Sequence, residues 1–102
     1  MKPEIIRPQS VHSTQGIGYS HVAKAGNTVY IAGQVALDKD GAFVGKHDID
    51  AQTTQVYVNL QAILQELDGG LGNIVKLTTY LTDRDQLDGF RRARNRVFAE
   101  QF

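Results

Sequence analysis

A change of hydrophobic period at Asp48 limits what this chain can fold into more than any other feature. From there on, Ile49, Thr53, Val56, Leu60, Ile63, Leu64 and Leu67 recur at spacings of three and four, the period of a helix with one apolar stripe. Asp48 or Asp50 can cap the free N–H groups at its start, and Gly69-Gly70 ends it. Upstream the period is two. A short strand through Ile5 and Ile6 precedes a loop punctuated by Pro8, Gly16 and Gly18. Tyr19 to Lys24 alternates loosely, Ala25-Gly26-Asn27 turns, and Thr28 to Ala32 is rich in β formers. This reads as a hairpin with a primed turn, Val29 and Ile31 facing one way and Tyr30 the other. Asp38-Lys39-Asp40-Gly41 makes a second turn into a short Ala42-Phe43-Val44 strand. Downstream, Ile74 to Leu81 returns to period two, with Val75, Leu77, Thr79 and Leu81 on one face. Asp83 opens a second helix whose stripe is Leu87, Phe90, Ala93, Val97 and Phe98. Strands, helix, strand, helix predict an α+β layer: one sheet with both helices on one face.

The 102 residues suit one domain spanning 1–102, and Leu, Ile, Val and Phe supply 28 of them, enough for a modest core. Association would bury more apolar surface. Eleven basic and eleven acidic residues cancel, so no overall field draws in nucleic acid or an anionic membrane. Cysteine is absent, which excludes disulfides, thiolate chemistry, iron–sulfur clusters and Cys-based zinc sites. His12, His21 and His47 form no His-x-x-x-His pattern, so no dedicated metal site is expected. With no spanning apolar run and no signal-peptide core in the sequence, a cytoplasmic protein is expected.

The chain reaches Phe102 on or next to the last apolar turn of the second helix, with no segment left to pair with the fourth strand. Either another subunit satisfies that sheet edge, or the protein continues past Phe102.

Several segments are familiar in series. Gly16-Ile17-Gly18-Tyr19-Ser20-His21 and Ala25-Gly26-Asn27-Thr28-Val29-Tyr30-Ile31-Ala32-Gly33-Gln34-Val35 resemble the Rid (YjgF/UK114) family, historically the L-PSP endoribonucleases. Asp48 to Thr53, Val75 to Asp83 and Asn95 to Glu100 resemble that family's helix-opening, fourth-strand and second-helix segments, in order and at matching spacing. The resemblance implies a chorismate-mutase-like (bacillus type) α+β subunit with a mixed sheet. It also implies a homotrimer with ligand clefts between subunits, and C-terminal strands that are missing from these 102 residues. The activity it implies is hydrolysis of 2-iminobutanoate or 2-iminopropanoate to a 2-oxo acid and ammonia, with no metal or organic cofactor. An imine carbon is already electrophilic, so a positioned water and a clamp for the carboxylate suffice.

The same resemblance nominates the ligand-binding residues. Tyr19 matches the family's cleft tyrosine, Gly33 the position whose backbone a ligand can approach, with Ala32 and Gln34 beside it, and Asn95 the helix asparagine at the cleft. Ala32 departs from the common serine and removes a hydroxyl, and Gly18 and His21 stand where Pro and Gln are frequent. The Pro-Ala-Arg-like segment whose arginine holds the substrate carboxylate would lie past Phe102. From the residues alone, Tyr19 also reads as an ordinary half-buried tyrosine and Gly33 as a bend or bulge. His21 alternates with Tyr19 and reads either as a cleft residue or as a hydrogen-bonded interface histidine.

Five of the eleven basic residues, Arg84, Arg91, Arg92, Arg94 and Arg96, fall in the second-helix region without forming one face. Asp88 and Arg92 have helix-pair spacing. Arg94 projects into the apolar stripe, where it can snorkel, pair across an interface or clamp a carboxylate. Three functions stay open: an imine deaminase with unassigned catalytic residues, a non-catalytic protein binding small 2-imino or 2-oxo acids, and an endoribonuclease or translation inhibitor. Neutral charge and the lack of a base-stacking platform count against the last.

Overall fold

The computed structural model describes residues 2–101; Phe102, the last residue of the expected domain, lies outside them. Three strands, β1 (Glu4–Ile6), β2 (Val22–Ala25) and β3 (Thr28–Ile31), form an antiparallel sheet in the order β1-β2-β3. Ala25 pairs with Thr28, so Gly26-Asn27 is a two-residue turn, and only Gly26 has positive φ, at 61°. That is the type II′ pattern, whose twist matches the flanking strands. A bond from Ala32 N to His21 O of 2.8 Å carries the β2–β3 pairing one residue further. The expected Ala42–Val44 strand is reduced to a single bridge between Leu37 and Phe43.

Helix α1 (Ile49–Glu66) starts at Asp48, whose Oδ1 accepts from Ala51 N at 3.1 Å. Its other end differs from the expectation. The left-handed residue is Asp68, at φ 62°, rather than a glycine. Gly69 N donates to Leu64 O and Asp68 N to Gln65 O, which together make a Schellman cap. Asp83 caps a 3-10 turn, Arg84–Gln86, through a bond from Asp85 N, and α2 (Leu87–Phe98) follows.

Two apolar clusters meet on α1. Ile63, fully buried, joins Val22 and Val11 between helix and sheet, with Ile6, Val29, Ile31 and Leu67 packed around them. Tyr57, Leu60 and Leu64 join Phe90, Phe98 and Leu71 between the helices. Ile31 packs against both clusters, so both helices cover the same face of the sheet.

Residues 74–81 do not form the expected strand. Ile74 and Leu81 pack against the interhelical cluster, but Val75 is 99% and Tyr80 91% exposed. No described strand pairs with them. Alternation makes a segment able to join a sheet; only a partner's N–H and C=O groups make it a strand.

The expected Asp88–Arg92 pair is also absent. Among the described residues the ion pair is Arg96 with Asp50, bidentate at 2.8 and 3.0 Å. Both side chains are about half exposed, so the pair ties α2 to α1 with little net stabilisation.

The helices approach closely at Gly89. A Cβ there would lie 2.6 Å from Ile49 Cγ2. Gly89→Ala gains about 1 kcal/mol in helix propensity but must displace a stiff β-branched side chain at a cost of about 1–3 kcal/mol. The expected result is a net loss in urea unfolding; a more stable variant would show that the contact relaxes freely.

Candidate functional site

The residues nominated from sequence fall into two groups. The first gathers at the end of the β2–β3 ladder. His21, 2% exposed, contacts His12 O through Nε2 at 2.8 Å and Gln34 Nε2 through Nδ1 at 2.9 Å. A carbonyl only accepts, so Nε2 carries the hydrogen and Nδ1 is the acceptor. Gln34 Nε2 also donates to Ala32 O at 3.1 Å, which sets the orientation of the amide and leaves its buried Oε1 without a partner among the described residues. Tyr19 stands edge-on to His21, with ring centroids 6.1 Å apart, and remains 45% exposed. Tyr19, His21, Ala32 and Gln34 are therefore joined into one linked set. Both nitrogens of His21 are committed to protein partners, so it positions Gln34 and orders the loop through His12.

Gly33 follows in exposed backbone outside the left-handed region, and a Cβ there would meet nothing within 4 Å. The chain's own packing does not require a glycine at this position. Asn59, which sequence reasoning missed, holds the next residues. Its Nδ2 donates to Val35 O and Leu37 O at 3.2 and 3.0 Å, and its Oδ1 accepts from Gln55. A buried asparagine among the apolar positions of α1 was the available signal.

The second group lies on α2. Arg94 donates through Nε and Nη2 to Asn95 Oδ1 at 3.1 and 3.0 Å, and its guanidinium lies 5.7 Å from the centre of the Phe90 ring. Arg94 and Asn95 line an open cleft of about 390 Å³ with Leu77, Phe98 and Ala99. Asn95 Nδ2 remains a free donor among the described residues. Tyr57 stands edge-on to Phe98 at 4.9 Å, and its hydroxyl is buried without a partner among the described residues. Burial pushes the Tyr57 phenol up, while the nearby Arg94 charge opposes the shift. No hydrogen bond among the described residues joins Arg94 or Asn95 to the set around His21.

The family model described as "Endoribonuclease L-PSP" matches residues 12–102. The chain belongs to the endoribonuclease L-PSP (Rid) family. A RutC family protein of Pyrococcus abyssi is 39% identical over 84 residues, covering 82% of this chain and 63% of the relative. The mitochondrial protein MMF1 of Saccharomyces cerevisiae is 36% identical over 84 residues, covering 82% and 54%. The Rid-family chain thus spans less than two thirds of these curated relatives. The structure of yeast Mmf1 superposes with a TM-score of 0.90 at 27% identity, covering 99% of this chain and 79% of that one. RidA of an Antarctic Psychrobacter superposes at 0.78 with 31% identity, covering 88% and 72%. The α+β arrangement is that of solved Rid-family proteins. No helix among the described residues is long and apolar enough to cross a membrane.

In this Rid-family chain, enclosure also acts on His12. Its ring meets that of His21 edge-on at 4.7 Å, and its Nδ1 is buried without a partner among the described residues. Burial first, and repulsion from His21 second, hold His12 below the ordinary histidine range. A depressed folded value means the unfolded chain binds the extra proton as pH falls below about 6.5. The contribution of His12 to stability is therefore present above that pH and lost as pH falls through the folded value. Urea midpoints are expected to drop between about pH 7.5 and 5.5, with a flatter profile in His12→Gln. An equal slope in that variant would reject the assignment.

Proposed function

We propose that this Rid-family chain is one Rid-like domain of a cytoplasmic, homotrimeric imine deaminase, with its ligand bound between subunits. The single observation that carries the reading is the α2 cleft. Arg94 brings a guanidinium and Asn95 an amide donor to a wall formed by Leu77, Phe98 and Ala99. That combination suits a carboxylate with a short aliphatic tail, as in a small 2-imino acid. Tyr19, Ala32, Gly33 and Gln34 form the other wall, contributed by a neighbouring copy.

In this reading Arg94 stands in for the arginine that the family resemblance puts past Phe102 and holds the substrate carboxylate, while Asn95 Nδ2 orients the substrate or the attacking water. Water adds to the imine carbon, a proton moves to nitrogen, and the carbinolamine breaks its C–N bond to leave a 2-oxo acid and ammonia. The electrophile comes with the substrate, so positioning supplies the acceleration and no cofactor takes part.

A second reading, a non-catalytic binder of small 2-oxo acids, draws on Ala32, which offers no hydroxyl where the family commonly has serine. Endoribonuclease action, named in the family description, gains nothing from a chain of zero net charge.

The test generates 2-iminobutanoate in situ with a pyridoxal-phosphate dehydratase acting on threonine and follows ammonia release. Acceleration over the no-protein control is expected, and Arg94→Gln should lower kcat/KM by about tenfold or more, as loss of a charged hydrogen bond would. No acceleration at high protein concentration would leave the binder, to be judged by thermal stabilisation with 2-oxobutanoate. The solution mass should be three times 11.3 kDa; a monomer would remove the shared cleft.

A further inference from the structure

A second pocket, of about 260 Å³, lies where the loop after β1 folds over the start of β2, and it shares no lining residue with the α2 cleft. Its walls include Arg7, Lys39, Ser13, Thr14 and Gln15, with the His21 ring among them. Two of these residues are cationic and none is acidic. Neither cation has a carboxylate partner among the described residues. Asp38 and Asp40, which flank Lys39 in sequence, form no ion pair with it among the described residues. Asp38 Oδ1 accepts from Asp40 N and Ala42 N within its own loop. Glu66 accepts from Gln9 N, Ser10 N and Ser10 Oγ.

The hydroxyls add to the same bias. Thr14 Oγ1 accepts from Arg7 Nη1 at 3.2 Å, and Ser13 Oγ accepts from Gln15 N at 3.2 Å. Each hydroxyl spends a lone pair within the protein, and neither donates its hydrogen to a described residue. Arg7 uses one of its five N–H groups on Thr14. His21 adds shape only, since both its nitrogens are committed. The pocket therefore presents two positive charges and two spare O–H donors, and no acidic residue lines it.

We propose that this pocket binds a small oxyanion, a phosphate or carboxylate group, at a site separate from the one assigned to imine hydrolysis. Arg7 and Lys39 supply the charge and the hydroxyls of Ser13 and Thr14 the directional bonds. The guanidinium, already aligned by Thr14, approaches from one side. Occupancy would tie the 7–15 loop to the 38–42 turn, two segments that no hydrogen bond joins among the described residues.

The test is a 1H–15N NMR titration of the whole protein with sodium phosphate and, separately, with 2-oxobutanoate, at fixed pH and with ionic strength matched by sodium chloride. Saturable shifts at Ser13, Thr14, Gln15 and Lys39 with either anion are expected. The anion that saturates first identifies the source, phosphate ester or carboxylate. Arg7→Gln together with Lys39→Gln should weaken binding by about tenfold or more. Lys39→Gln alone, which breaks no protein hydrogen bond, keeps the comparison valid if the Arg7 change disturbs the loop. Shifts that never saturate, that survive both variants, or that fall only at Arg94 and Asn95 would overturn the proposal.

Discussion

Helix α1 is required to be buried on two sides at once, and the rest of the chain is arranged to meet that requirement. Ile63, with no accessible surface, presses against Val22 of the sheet, while Tyr57, Leu60 and Leu64 press against Phe90 and Phe98 of α2. Full burial of an isoleucine contributes about 1.5–3 kcal/mol, large against the few kcal/mol that separate folded from unfolded states. The polar positions of α1 extend the same control to loops. Asn59 gathers the carbonyls of Val35 and Leu37, and Glu66 gathers Gln9 and Ser10. The segments around 9–10 and 35–37, which border the second pocket, are thus tied to a single helix.

Polar order at the sheet's end follows from this. Once Val22 is pinned against Ile63, the preceding His21 is enclosed and must find partners for both ring nitrogens. It takes the carbonyl of His12 on one side and the amide of Gln34 on the other. Gln34 in turn spends its second N–H on Ala32. One buried imidazole therefore sets the path of the strand end that carries Tyr19 and of the loop after β3. The cost is a pair of buried atoms without partners among the described residues, Gln34 Oε1 and His12 Nδ1, and such atoms cost about 1–3 kcal/mol each when left unmet.

Much of the scaffold was legible because local rules carry it. The three-and-four spacing marks α1, Asp48 caps it, Gly26 permits the hairpin turn, and the stripe from Leu87 to Phe98 faces inward. Residues 74–81 were misread as a strand, since alternation reports compatibility with a sheet and pairing depends on a neighbour. Gly69-Gly70 marks the end of α1 in the sequence, but the left-handed residue is Asp68, at a position where glycine is the commoner choice. The site was less legible. Tyr19, Ala32, Gly33, Gln34 and Asn95 were nominated by family likeness, and nothing in their spacing shows that His21 ties the first group together.

The sequence by itself determined the periods, the caps, the turn and the chemistry excluded by the absence of cysteine, because each depends on residues a few positions apart. Tertiary structure alone decided which donors and acceptors meet. His21 reaches Gln34 thirteen positions away, Arg96 reaches Asp50 forty-six away, and Arg7, Lys39 and the Ser13–Thr14 hydroxyls converge on one pocket. Hydrophobic patterning places elements without directing their polar atoms. Those partnerships appear only once packing has closed the distance and removed the water that would otherwise satisfy them.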